Sequence, residues 1–172
     1  GNITNTHLVR NGEPDSILEK CDRVHEGTYF FKHQEHAYLE TEASLAIPEP
    51  GGGLTFYTND QSPFINRDNI VMLLGMPAAK IRVIQTHVGG SFGGKDDIGY
   101  QSAAQVGALA LKTQRPVRLV LTRVESLIAS YKREAMELKL KIGLTKDGTL
   151  KAAHVEILAD SGAFSSMTPL SS

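Results

Sequence analysis

The stretch Val88-Gly89-Gly90-Ser91-Phe92-Gly93-Gly94-Lys95-Asp96-Asp97 constrains this chain more than any other. An apolar run, Ile81-Arg82-Val83-Ile84, precedes it. A small-residue helical pattern, Ala103-Ala104-Gln105-Val106-Gly107-Ala108-Leu109-Ala110-Leu111, follows it. A backbone nearly stripped of side chains therefore joins a strand to a helix. Paired glycines reach positive-φ conformations and let another molecule touch the main chain. Ordering them costs conformational entropy, so packing alone rarely keeps such a loop. One large side chain, Phe92, stands in its middle.

The surrounding pattern predicts an α+β fold, a mixed sheet with packed helices and a long C-terminal antiparallel hairpin. Pro14 can open a helix, with two turns over residues 15–22 that place Ile17, Leu18 and Cys21 on one face. Strands are expected over residues 24–31, 44–47 and 54–58, the last two joined by a Pro/Gly turn. Ser62 caps and Pro63 starts a helix with Ile65, Asn69, Met72 and Leu73 along one side, and Gly75 ends it. After the glycine loop come a helix to about Lys112, a buried strand over 117–121 and a short helix over 124–130. Residues 134–144 alternate, Thr145-Lys146-Asp147-Gly148 turns, and residues 149–158 return.

Composition narrows the function classes. At 172 residues, 41% hydrophobic and 22% charged, the chain supports a core of ordinary size. A net charge of −1 implies neither a nucleic-acid nor an anionic-membrane partner. No apolar run reaches the roughly 18–20 residues of a membrane span, and the first residues carry no signal-peptide pattern. Cys21 is the lone cysteine, so an intrachain disulfide is impossible. That favours a reducing, cytoplasmic compartment and a half-buried structural thiol. Gly1 stands where an initiator Met would, and Ser172 directly follows a strand pattern, so residues 1–172 are expected to be a partial domain of a longer chain.

Several motifs compete for the chemistry. Gly89-x4-Gly94-Lys95 satisfies most of a phosphate-binding P-loop in a strand–loop–helix setting. The Ser or Thr that would hold magnesium is replaced by Asp96, and Asp97 follows. Two carboxylates at a helix N-terminus complement the dipole and repel phosphate. His33, Glu35, His36 and Glu40 are metal ligands by type, but their spacing fits neither an HExxH helix nor a zinc finger, so a polar turn or strand edge is expected. His87 and His154 read as structural histidines. Asp160-Ser161-Gly162 lacks the GxSxG elbow of a serine hydrolase.

Three segments in order resemble the molybdenum-binding subunit of the xanthine dehydrogenase/aldehyde oxidase family. They are Gln34-Glu35-His36-Ala37-Tyr38-Leu39-Glu40, then Gln61-Ser62-Pro63 with Leu74-Gly75-Met76-Pro77, then residues 88–95. Arg115-Pro116-Val117-Arg118 through Asp160-Ser161-Gly162-Ala163-Phe164 also look like family sequence, so the resemblance covers most of the chain. It implies hydroxylation of an electron-poor carbon with water as oxygen source, two electrons passing to a molybdopterin-bound molybdenum. The pterin's nucleotide form stays open. Iron–sulfur clusters of the 2Fe–2S type and FAD are implied on other domains or subunits, since one cysteine cannot hold a cluster.

The resemblance also implies roles for single residues. Gly90, Ser91, Phe92 and Gly93 would line the cofactor. Phe92 would approach the molybdenum through its backbone amide, and Gln61 matches a glutamine that contacts the metal's oxo group. Asp96 falls where hydroxypurine-oxidising members carry a substrate-facing glutamate, which points to a purine or related N-heterocycle; Asp is shorter by one methylene, and Asp97 is the neighbouring candidate. Ser91 replaces a common third glycine. The family's catalytic glutamate and substrate-orienting arginine match no residue here, so the segment alone is expected to be inactive. Two alternatives stand beside this reading: a divergent P-loop nucleotide-binding domain, and a non-catalytic scaffold that keeps the fold.

Overall fold

A computed structural model describes residues 2–163. The chain forms two compact units: Glu35–Arg133, and Gly1–Gln34 together with Glu134–Ser172. The C-terminal expectations beyond residue 163, Phe164 among them, lie outside the described residues.

The Glu35–Arg133 unit is built on a four-stranded sheet of β2 (Ala43–Glu49), β3 (Gly53–Thr58), β4 (Ile81–Gln85) and β5 (Val117–Val120), ordered β4-β3-β2-β5. Strands β2 and β3 form an antiparallel hairpin, and β5 pairs antiparallel with the other side of β2. Strand β4 is parallel to β3. A parallel pair needs a crossover, and helix α2 (Pro63–Leu74) supplies it. Helix α3 (Asp97–Thr113) follows the glycine loop, and α4 (Arg123–Ala129) follows β5.

Ala46, Leu54 and Phe56 of the sheet pack with Ile70 of α2 and Ala103, Val106 and Ala110 of α3. Each large apolar side chain buried this way contributes about 1.5–3 kcal/mol. The small residues of α3 have a steric reason. A Cβ on Gly107 would lie 2.8 Å from the Phe56 ring and 2.9 Å from Leu74 Cδ1, so the missing methyl is the space Phe56 occupies.

Three local expectations need correction. Helix α2 buries Asn66 and Ile70, packs Val71 and Leu74 against the core and leaves Ile65, Met72 and Leu73 exposed, so its inward face is not the one that Ile65, Met72 and Leu73 mark. Asn66 is drawn inward by a buried carboxylate, described below. Ser62 occupies the N-cap position without a capping bond, because its hydroxyl is engaged elsewhere. Strand β5 is an edge strand that alternates between half-buried and exposed; among the described residues it pairs with β2 alone. The cap of α4, in contrast, is a complete capping box between Thr122 and Glu125.

In the other unit β1 (Arg23–Phe31), β6 (Ala135–Leu144) and β7 (Leu150–Asp160) form an antiparallel sheet ordered β1-β6-β7. The hairpin joining β6 to β7 turns at Gly148, φ 88°, as the sequence predicts. A short helix, α1 (Pro14–Leu18), sits on one face with Leu18 buried. Gly143 makes room for it: a Cβ there would collide with Cys21 Sγ and come within 3.0 Å of Leu18 Cδ2. Cys21 is half-buried, and its thiol donates to the Ile17 carbonyl at 3.3 Å. No helix among the described residues is long and apolar enough to cross a membrane.

Candidate cofactor site on the glycine loop

Strand β4 and helix α3 deliver the two ends of the loop. Its start is tied to β3: Thr86 N–H donates to the Thr58 carbonyl at 2.8 Å, and Gln85 Nε2 to the Asp60 carbonyl at 2.7 Å. Within it, Gly90, Phe92 and Gly93 all have positive φ, at 90°, 55° and 92°. Glycine adopts such angles freely; Phe92 does not, and its strained backbone persists only because its surroundings impose it. The Phe92 ring stands 76% exposed. Loop and ring thus have the geometry expected of a surface meant to be touched.

One node gathers most of the residues singled out from sequence. Gln61 Oε1 accepts from the Ser91 hydroxyl and from Gly93 N–H at 3.2 Å. Gln61 Nε2 donates to Asp96 Oδ2 at 2.8 Å, and Ser62 Oγ donates to Asp96 Oδ1 at 2.6 Å. Lys95 N–H donates to Ser91 Oγ at 3.0 Å. A backbone N–H can only donate and a carboxylate only accept, so the amide's orientation follows from its partners. Ser91 is therefore more than a small loop residue: its hydroxyl links the turn to Gln61, which a glycine could not do.

Gln61 is itself anchored by its neighbour. Asp60 is 1% exposed. Its carboxylate accepts from Thr58 Oγ1, from Asn66 Nδ2 at 2.6 Å and from Ser62 N–H at 2.9 Å. This is the group that turns Asn66 inward. Gly99 in the first turn of α3 presses on it, since a Cβ there would lie 2.7 Å from Asp60 Cβ. Asp60 belongs to none of the sequence motifs; its one signal is an acid between a strand of β-formers and a Ser-Pro helix start.

The segment around His36–Glu40 packs on the other side of the loop. A Cβ on Gly94 would fall 2.8 Å from His36 Nδ1 and 2.8 Å from Tyr38 Cε1, and one on Gly89 would overlap the Glu40 carboxylate. Those glycines therefore admit the segment that lies some fifty residues earlier in the chain. Tyr38 is 1% exposed and donates its hydroxyl to buried Glu42. Burial and that carboxylate hold the phenol well above its ordinary range. Arg123 Nη2 donates to the Tyr38 and Leu39 carbonyls at 2.7 and 2.6 Å. Glu35 pairs with Lys132 at 2.6 Å. Burial raises the Glu35 carboxyl, but Lys132, the Ala37 N–H and Ser130 together draw it below the usual range.

Lys95 does not behave as a P-loop lysine. It is 1% exposed, and its ammonium lies 4.5 Å above the Tyr38 ring. Burial depresses its pKa, with Glu42 and Glu40 opposing. Its charge faces inward, and the Gly93 N–H that would cradle phosphate is engaged by Gln61. Among the described residues no three His, Cys, Asp or Glu side chains converge as metal ligands. The candidate donors around the loop are neutral amides and a hydroxyl. Such donors suit an anionic, oxygen-bearing cofactor, since they stabilise it without binding it as salt. The Gln61 amide nitrogen carries two hydrogens and gives one to Asp96, which leaves one for a ligand. The residues present fit the cofactor that the resemblance implies.

Comparison with known proteins agrees. The family model for the molybdopterin cofactor-binding domain matches residues 1–171. The chain is 38% identical over 169 residues to a probable xanthine dehydrogenase subunit of Bacillus subtilis, covering 98% of this chain and 22% of that protein. It is 37% identical over 169 residues to the nicotinate dehydrogenase large molybdopterin subunit of Eubacterium barkeri, covering 96% and 39%. The solved aldehyde oxidoreductase of Desulfovibrio gigas superposes with a TM-score of 0.82 at 25% identity, over 95% of this chain and 18% of that one. The chain thus spans well under half the length of these relatives. It belongs to the molybdopterin cofactor-binding domain family.

Proposed function

We propose that this chain is the part of a molybdenum hydroxylase that presents the glycine loop to the cofactor, in an enzyme acting on a purine or related N-heterocycle. The observation that supports it best is the node in which Gln61 joins Ser91, Gly93 and Asp96. In this reading Gly90, Ser91, Phe92 and Gly93 form the shelf against the cofactor, and Gln61 and Phe92 lie on its metal side. Asp96 lies on the substrate side. Each of its oxygens accepts one bond within the protein, and a carboxylate has further lone pairs, so it can still take a ring N–H.

The overall reaction inserts oxygen from water into a C–H bond, giving C–OH, two protons and two electrons. Held along Gly90, Ser91, Phe92 and Gly93, molybdopterin would supply the molybdenum as acceptor of the electron pair, and iron–sulfur and FAD centres on other domains or subunits would take the electrons onward. The residues of this chain bind and orient. The loop offers N–H donors, Phe92 covers the shelf, and Asp96 selects a heterocycle with an N–H. The proton-abstracting base and a further substrate-orienting cation come from elsewhere in the enzyme, and residues 1–172 alone are inactive.

Elemental analysis and turnover of the intact protein test this. Near-stoichiometric molybdenum is expected, with oxidation of an N-heterocycle using oxygen from labelled water. Gln61→Ala should lower kcat about 10²-fold or more, the scale of losing one preorganised donor. An intact protein without molybdenum, or a Gln61→Ala variant with unchanged turnover, would overturn the reading.

A further inference from the structure

The bonding around Gln61 carries a consequence for Asp96 that rests on the proposed function but reaches past substrate recognition. A glutamine side chain has three rotatable bonds, and this one is exposed. Its Oε1 end is held by the loop through Ser91 and Gly93. Those two bonds fix one atom of the amide; the Nε2 end could still swing about it. Asp96 Oδ2 supplies the second point. Asp96 is in turn held at Oδ1 by Ser62, the residue that would otherwise cap α2 with that hydroxyl. Ser62 is set by its own N–H, bound to buried Asp60.

The bonds run in one direction. Lys95 N–H donates to Ser91, Ser91 to Gln61, and Gln61 to Asp96. Chains of this kind polarise each member, and an amide that donates to a carboxylate becomes a better acceptor at its oxygen. Asp96 therefore strengthens the grip of Gln61 on the loop as well as aiming its nitrogen. We propose that Asp96 is the positioning residue of the Gln61 amide, so that substrate-side acid and metal-side donor work as one clamp. A ring N–H on Asp96 and an acceptor at the free Nε2 hydrogen can both be bound without breaking it.

A clamp predicts non-additivity, and its two halves are removed by Gln61→Ala and Asp96→Ala. The experiment uses the intact protein with each single variant, the double variant and Asp96→Asn, whose carbonyl can still accept from Gln61. The readouts are the electron paramagnetic resonance spectrum of partly reduced molybdenum, kcat and KM separately, and the melting temperature of the cofactor-free protein. Asp96→Ala should shift the molybdenum spectrum in the same sense as Gln61→Ala, and the double variant should add nothing to Gln61→Ala alone. Asp96→Asn should keep the wild-type spectrum while KM rises. In the cofactor-free protein the double variant should melt no lower than the worse single variant.

A wild-type spectrum in Asp96→Ala beside a shifted one in Gln61→Ala would overturn the proposal. So would additive melting shifts, or an Asp96→Asn spectrum as altered as that of Asp96→Ala. These outcomes are distinct from failure of the proposed function. Non-additive melting in a protein that never takes up molybdenum would keep the clamp and remove the hydroxylase. Full molybdenum and turnover with additive variants would do the reverse.

Discussion

On one side of the glycine loop, exposed Gln61, half-buried Ser62 and Asp96 and buried Ser91 hold one another through neutral donors and a single carboxylate. On the other, Tyr38, Glu42 and Lys95 are buried, and Lys95 Nζ and Glu42 Oε2 have no hydrogen-bond partner among the described residues. The first side has directional bonds and spare hydrogen-bonding capacity, which suits contact with a ligand. The second relies on packing, a cation over an aromatic face and unscreened charge, which suits holding a backbone in place. The glycines serve both: Gly93 offers its N–H to Gln61, and Gly94 lets His36 and Tyr38 approach. A loop with strained φ angles needs a rigid support behind it if the face in front is to stay preorganised.

That contrast can be broken from either side. The largest expected effect is Tyr38→Ala. Losing a fully buried aromatic ring, the platform of Lys95 and the donor to Glu42 should cost about 3–5 kcal/mol in denaturant unfolding of the intact protein. A loss under about 1 kcal/mol would show that the rear of the loop is not a support. Next is Asp60→Ala, which leaves Thr58, Asn66 and the Ser62 N–H without their acceptor. It should cost about 2–3 kcal/mol and also shift the molybdenum signal, because Gln61 and Ser62 follow it in the chain. Stability loss with an unchanged signal would separate the anchor from the clamp.

The smallest effect is the pH dependence of Lys95. Burial lowers its native pKa, offset in part by Glu42 and Glu40. Between that depressed value and the ordinary lysine range the unfolded chain holds more protons than the native one, so stability rises with pH across this window. Wild-type protein should therefore gain stability relative to Lys95→Met as pH climbs from below the native value towards the ordinary range. Parallel pH–stability curves for the two proteins would mean that the buried cation is already fully compensated.

Much of the fold is legible in the sequence because local signals agree with it. Gly148 needs a positive φ, the β6–β7 hairpin alternates on either side of it, and Pro63 and Gly75 bound α2. Helix α2 shows where local reading stops. Ile65, Met72 and Leu73 point outward, and Asn66 points in beside Ile70 because Asp60, six residues earlier, is buried and needs a donor. Strand β5 looks like a core strand by composition and is an edge because, among the described residues, only β2 pairs with it. The site follows the same division. Gln61, Ser91, Phe92, Gly93 and Asp96 can be singled out one by one, whereas Asp60 and Glu42 have no motif to mark them and Tyr38 stands in one without a part assigned to it.

What the sequence determined by itself is the kind of loop this is: paired glycines with one aromatic between them, set between a strand and a helix, can serve close backbone approach and little else. It also determined, through Asp96 in place of Ser or Thr, that the loop is a poor phosphate cradle. Only the tertiary structure decided that Lys95 turns under the loop onto Tyr38, that Gln61 crosses to Ser91 and Gly93, and that Asp96 closes on Gln61 and Ser62. These contacts join residues about thirty to sixty positions apart in the chain. Their partners are chosen by which buried donors and acceptors the fold brings within reach, and no local propensity encodes that choice.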